Sequence, residues 1–169
     1  QRSLLKRLYC LRKSDSPPLS GVDFLKIVLA SMFMPVDDSI EALSKLLNDI
    51  KDKEGKDGVR VLVSGHIVED PALLEIIESC GALIVADDLD TGSRYFWGTI
   101  ELGGNILQNL AEFYLKIPSP YRDPIEDRVQ YILTMLREFN AEGVIFLVRK
   151  FCDPHLFDYP IIRRRLEEE

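Results

Sequence analysis

The first third of the chain carries apolar residues at helical spacing. Leu4, Leu5, Leu8 and Leu11 recur among Arg and Lys and predict an amphipathic first helix. The stretch from Ser14 to Gly21, with Pro17 and Pro18, breaks it. A second helix is expected from Val22 to Met34, with Pro35 as its stop. A third begins near Asp37, Asp38 and Ser39, whose side chains offer capping oxygens. It carries Ile40, Leu43, Leu46, Leu47 and Ile50 on one face. The charged stretch from Lys51 to Gly58 reads as a surface linker.

Beyond Gly58 the pattern alternates between short apolar runs and helical periods. Val59 to Val63 is β-branched and mostly apolar, as a central strand requires. A helix follows over Pro71 to Cys80, with Asp70 as cap and Pro71 at the favoured first position, and Gly81 ends it. Ala82 to Ala86 and Gly143 to Val148 are two further buried strands, separated by helices at Ile106 to Ile117 and Pro124 to Asn140. Asp123 is the expected cap of the latter. A last helix is expected from Leu156 toward the end, interrupted at Pro160.

Strands separated by helices imply a parallel sheet with right-handed crossovers. The predicted class is therefore α/β: a three-layer, mostly parallel, Rossmann-like or flavodoxin-like sheet with an N-terminal helical segment. Strands are expected near residues 59–65, 82–87 and 143–149. Residues 1–57 read as a helical connector and 58–169 as the α/β domain. Three strands are few for a doubly wound domain, and the chain opens on Gln1 inside a helical pattern, so it is expected to be part of a longer subunit.

With 169 residues, 46% of them hydrophobic, the chain can bury a core without disulfides. A net charge of −7 gives no broad basic footprint for nucleic acid or anionic lipid. Arg163, Arg164 and Arg165 are followed at once by Glu167, Glu168 and Glu169, as on a solvated helix end. Cys10, Cys80 and Cys152 are odd in number and widely spaced, which suits a reducing cytoplasm and not a disulfide framework. No two of them, and neither histidine, stand at the short spacing of a zinc site. The apolar run from Phe24 to Met34 is too short to cross a bilayer and contains Lys26. No membrane or nucleic-acid partner is expected.

In an open parallel sheet the useful positions lie just beyond the carboxyl ends of the strands. The first strand exits into Ser64, Gly65 and His66; the second into Asp87, Asp88 and Asp90, then Ser93 and Arg94; the third into Lys150, Cys152, Asp153 and His155. Parallel pairing puts all three exits on one edge, where Ser64, Gly65, His66, Asp88, Ser93, Arg94 and Cys152 are the candidate crevice residues. Each has a plainer reading. Ser64 and Gly65 also suit a tight turn, His66 an exposed ring, and Asp87 and Asp88 a turn cap. Arg94 also suits an ion-pair partner of those carboxylates, and Cys152 a small buried hydrophobe. Cys10, within a basic helix, and Cys80, at a helix end, read as structural. The acidic cluster Asp87, Asp88 and Asp90 also suggests a receiver-like, Mg²⁺-dependent phosphotransfer module, but no convincing Lys stands at a third strand end beside it.

The same segments resemble the 2-hydroxyacyl-CoA dehydratase and benzoyl-CoA reductase family of iron–sulfur subunits. The likeness is carried by Leu8 to Lys13, Pro17 to Gly21, Arg60 to Gly65 and Ile77 to Ala82, and most strongly by Asp87 to Phe96 and Lys150 to Pro154. The ordered set spans nearly the whole chain. The resemblance implies the C-terminal part of a longer subunit with two α/β domains. It further implies a 4Fe–4S cluster held mostly by cysteines outside this sequence, with Cys152 as the one matching ligand. Catalytic residues are not implied within this stretch. Radical dehydration of 2-hydroxyacyl-CoA thioesters, or reduction of aromatic acyl-CoA, is the implied activity. Expected partners are a sister subunit in a hetero- or homodimer, an ATP-hydrolysing activator as electron donor, and the acyl-CoA. A non-catalytic electron-transfer subunit of the same fold is the alternative, and the chain alone is expected to hold no stable cluster.

Overall fold

The computed structural model describes residues 1–50, 53, 55–121 and 124–168. Helix α1 (Arg2–Cys10) buries Leu5, Leu8 and Tyr9 and runs into a 3-10 turn at Leu11–Lys13. Helix α2 (Gly21–Phe33) opens with a capping box: Ser20 Oγ accepts from the Asp23 N–H, and the Asp23 carboxylate from the Ser20 N–H. Helix α3 (Val36–Asp49) begins one residue after Pro35, without a side-chain cap. The expected caps are thus displaced. Asp37 and Asp38 lie in its first turn, where they favour the positive helix end. Ser39 is buried and accepts a hydrogen bond from Gln1 Nε2 at 2.9 Å.

Three parallel strands follow: β1 (Val59–Gly65), β2 (Ala82–Asp88) and β3 (Gly143–Leu147). Their order is β2-β1-β3. The β1–β2 register runs from Val59↔Ala82 to Ser64↔Asp88, with an irregularity between Val61 and Leu62; β1 and β3 pair from Val61↔Gly143 to Gly65↔Leu147. β1 is buried along its whole length after Val59, as a strand covered on both faces must be.

The pleat of β1 divides the core. Leu62 joins Leu83, Val85 and the apolar faces of α1, α3 and α6 (Ile125–Glu138). Val61 and Val63 point the other way, to Ile84, Leu74 of α4 (Ala72–Ser79), and Val22 and Leu25 of α2. The result is a three-layer α/β fold. Because α2 also sends Phe24 and Val28 into the first cluster, it lies along the β2 edge. A Cβ on Gly21 would collide with the Ile84 side chain, so only glycine permits this approach. Glu78 of α4 secures the same edge, its Oε1 accepting from Gly21 N at 2.8 Å and Ile84 N at 3.3 Å.

Arg60 ties the N-terminal helices to the sheet. Its buried guanidinium donates to the carbonyl oxygens of Arg12, Ser14 and Asp15 on one side, and of Phe139 and Asn140 on the other.

Several expected boundaries move. Pro71, not Asp70, is the N-cap of α4; Asp70 stands one residue before it and accepts from Ala72 N at 2.9 Å. Helix α5 (Ile106–Lys116) is capped by Asn105. Pro124 is extended and precedes α6, while Asp123 lies outside the described residues, as does part of the Lys51–Gly58 stretch. Helix α7 (Asp153–Glu167) starts earlier than expected and runs through Pro160 unbroken. Pro154 sits in its first turn, where the missing N–H removes no helical bond. Beyond Pro160, buried Ile162 holds the helix on the α6 cluster, which offsets the one bond lost there. Among the described residues, no helix is long and apolar enough to cross a membrane.

Candidate functional site

The strand order locates the crevice. The chain leaves β1 for β2 on one side and then crosses to β3 on the other. Such a 2-1-3 arrangement has its topological switch point between the carboxyl ends of β1 and β3. Gly65 ends β1 there. A Cβ on it would come within 2.6 Å of the Leu147 carbonyl oxygen, so the two strand ends close together only around glycine.

The inner layer of this edge is a buried ion network. Asp88 accepts from Ser64 Oγ and from Arg94 Nε, each at 2.8 Å, and Arg128 Nη2 lies 3.7 Å from it. Arg128 also bonds Asp158 of α7 at 2.8 Å. Asp87 accepts from Arg12 Nη2 at 2.7 Å and from the Ser93 N–H at 2.6 Å, while Ser93 Oγ donates to the Asp87 carbonyl oxygen. The Arg12 guanidinium also stands over the rings of Tyr9 and Phe24. Burial pulls Arg94 toward its neutral form, but the charge and hydrogen bonds of Asp88 and Asp90 more than reverse this. Ser64, Asp88, Ser93 and Arg94 are therefore turned inward and hold the strand ends in place.

The outer layer is a string of polar contacts that starts at Arg94. Arg94 Nη1 reaches Asp90 Oδ1 at 3.2 Å, and Asp90 Oδ2 lies 3.3 Å from His66 Nδ1. The Ile67 N–H also points at His66 Nδ1, at 2.7 Å. His66 Nε2 meets the Tyr121 hydroxyl at 2.7 Å, and Cys152 acts on the same hydroxyl electrostatically. Burial first, then Cys152 and Asp90, raise the Tyr121 hydroxyl above its ordinary value, so it stays protonated.

Cys152 is half-buried and forms the N-cap position of α7, one residue past Phe151. Phe151 has a φ of 66°, in the left-handed region, and its ring is 83% exposed. His155, one turn along α7, is buried with its ring centroid 5.6 Å from that of His66. Burial first, then Arg128 and Arg94, push it down to about 4, so it is neutral near pH 7.

Of the candidate residues, His66 meets Tyr121, on which Cys152 also acts, while Ser64, Asp88, Ser93 and Arg94 form the layer beneath. Tyr9, Arg12, Tyr121 and Arg128 escaped sequence reasoning as site residues. Tyr9 and Arg12 stood in the Leu8–Lys13 segment, but nothing local paired them with Asp87. Asp87 and Asp88 are both neutralised by arginines, an arrangement unlike the open carboxylate cluster of a phosphotransfer site.

The fold and this edge define an α/β subunit with one thiol presented at its switch point. The sequence matches the family described as 2-hydroxyglutaryl-CoA dehydratase, D-component, over residues 1–169, and the chain belongs to that family. It is 34% identical to the (R)-phenyllactyl-CoA dehydratase beta subunit of Clostridium sporogenes, over 84% of this chain and 39% of that protein. Identity is 30% to one of the benzoyl-CoA reductase subunits of Thauera aromatica, over 99% and 45%. It is 31% to the beta subunit of (R)-2-hydroxyglutaryl-CoA dehydratase from Acidaminococcus fermentans, over 96% and 45%. The chain spans less than half the length of these curated relatives.

Proposed function

We propose that this chain is the C-terminal, strand-end portion of an iron–sulfur subunit acting in 2-hydroxyacyl-CoA dehydration or acyl-CoA reduction, and that Cys152 ligates its 4Fe–4S cluster. The observation that carries this reading is the position of Cys152: half-buried, at the N-cap of the helix that follows β3, beside the switch point. Thiolates are the usual protein ligands of such clusters. Hydrogen bonds to the sulfur tune the potential.

The donor set fits one ligand position. Among the described residues, no group of three or more His, Cys, Asp or Glu stands where it could hold a metal ion. The remaining thiolates come from beyond this sequence, in keeping with relatives more than twice its length. A bound cluster supplies the one-electron chemistry on the thioester. This chain's own residues hold the sulfur, fix the Tyr121–His66 pair beside it, and keep His155 neutral. The names of the relatives, each one subunit of a dehydratase or reductase, support a sister subunit; an ATP-hydrolysing activator is the electron donor of this reading. The cytoplasm is the proposed compartment.

The test is anaerobic purification of the full-length protein, as wild type and as Cys152→Ser. The variant keeps its fold and loses iron, sulfide and the cluster's spectroscopic signal. Unchanged iron content removes Cys152 from the ligand set. Assays with the activator and with hydroxyacyl-CoA and aromatic acyl-CoA thioesters then distinguish the branches. A sound cluster with no turnover assigns an electron-transfer role instead.

A further inference from the structure

A second pocket lies apart from the strand-end thiol, between α1, α6 and the 3-10 turn Ser93–Phe96. Its volume is about 180 Å³. A cavity of about 150 Å³ holds benzene, so the space admits one ring. The lining is aromatic: Tyr9 from α1, Phe96 and Trp97 from the turn, and Tyr131 and Phe139 from α6. Tyr9 already meets Phe96 and Phe139 edge-to-face, with centroids 5.5 and 4.9 Å apart. A planar guest extends that arrangement.

The charges at the pocket select the guest further. Glu138 is the one carboxylate among its lining residues, and it is bonded to Lys13 at 2.5 Å. Lys6, also lining the pocket, is exposed and has no partner among the described residues. The pocket therefore presents one unspent positive charge and no unspent negative one, which disfavours a cationic guest and favours an anionic one.

We propose that this pocket binds a small aryl carboxylate, its ring among Tyr9, Phe96, Trp97, Tyr131 and Phe139 and its carboxylate at Lys6. His66, Tyr121 and Cys152 take no part in its lining, so the proposal stands or falls independently of the cluster.

The probe is 4-fluorophenylacetate, followed by ¹⁹F NMR line broadening and by the emission of Trp97, the single tryptophan of this sequence. Saturable binding with a Kd on the order of 1 mM is expected for so small a ligand. Lys6→Gln, which removes one exposed charge, weakens it about two- to fivefold. The neutral analogue 4-fluorobenzyl alcohol binds more weakly by a similar factor. Thr134→Phe, at an exposed position lining the pocket, plugs it and abolishes binding without loss of thermal stability. Should that variant fail to fold, Cys10→Phe at the opposite rim serves the same purpose. Absence of saturation, binding without a change in Trp97 emission, binding that survives the plug, or equal affinity for the neutral analogue would each overturn the proposal.

Discussion

The Tyr9 hydroxyl bonds both main-chain groups of Asp87, donating to its carbonyl oxygen at 3.0 Å and accepting from its N–H at 3.1 Å. β2 is an edge strand, and these groups lack a neighbouring strand to pair with. A side chain from α1 takes that neighbour's place and blunts the edge. Burial first, then the charge of Asp87, hold the hydroxyl well above its ordinary pKa, so it remains a donor across the working pH range.

Tyr9→Phe should destabilise the protein by about 1–3 kcal/mol, because the Asp87 N–H is then buried and unpaired. Urea denaturation should give a lower midpoint with an unchanged m-value. A midpoint equal to wild type would show that the hydroxyl contributes nothing to the edge.

Asp88→Asn should be more damaging, by about 3–5 kcal/mol, since Arg94 and Arg128 are then buried beside a neutral amide. Adding Arg94→Met should recover part of the loss, as expected of coupled neighbours. Strict additivity of the two changes in denaturation experiments would refute the coupling.

How far the sequence reveals this edge follows from which interactions are local. The β-branched run Val59–Val63 and the apolar runs at 82 and 143 place the strands to within two residues, because alternation and burial leave local marks. The class of fold and the shared edge follow from them. The side-chain network does not. Arg12 and Asp87 lie 75 residues apart, and their pairing appears only once α1 is laid against β2. Tyr121 lies in a Pro- and Ser-containing connection with no periodicity, so nothing in the sequence aims it at Cys152. The start of α7 was hidden for the opposite reason. Asp153-Pro154 reads as a turn, yet Pro154 is tolerated in a first helical turn.

His155 should make stability depend on acid. Its folded value is near 4 against an ordinary 6.5, chiefly from burial and then from Arg128 and Arg94. Between those values the unfolded chain binds a proton that the folded one refuses. Stability from this group is complete above pH 6.5 and declines as pH falls toward 4. Unfolding free energies measured across that window should fall less steeply in His155→Phe; an identical slope would exclude His155 as the cause.

Phe151→Gly should leave stability unchanged or raise it by up to about 1 kcal/mol, although it deletes a large apolar side chain. The left-handed backbone costs a non-glycine residue about 1–2 kcal/mol, partly offset by the greater freedom of an unfolded glycine. The ring itself is exposed and buries little area. A clear loss in thermal unfolding would mean the ring contributes packing that its exposure conceals.

The carbonyl cage around Arg60 has a consequence for how the molecule comes apart. One guanidinium depends on acceptors some 45 to 48 residues before it and others 79 to 80 after it. If the α1 turn detached alone, a buried cation would lose its nearer acceptors; if α6 detached, it would lose the farther ones. Neither the α1 turn nor the end of α6 can detach without stripping acceptors from the guanidinium they share. The helices before Gly58 and the sheet after it should therefore unfold as one cooperative unit, although their sequence patterns differ. Unfolding followed at an N-terminal probe and at Trp97 should give coincident transitions.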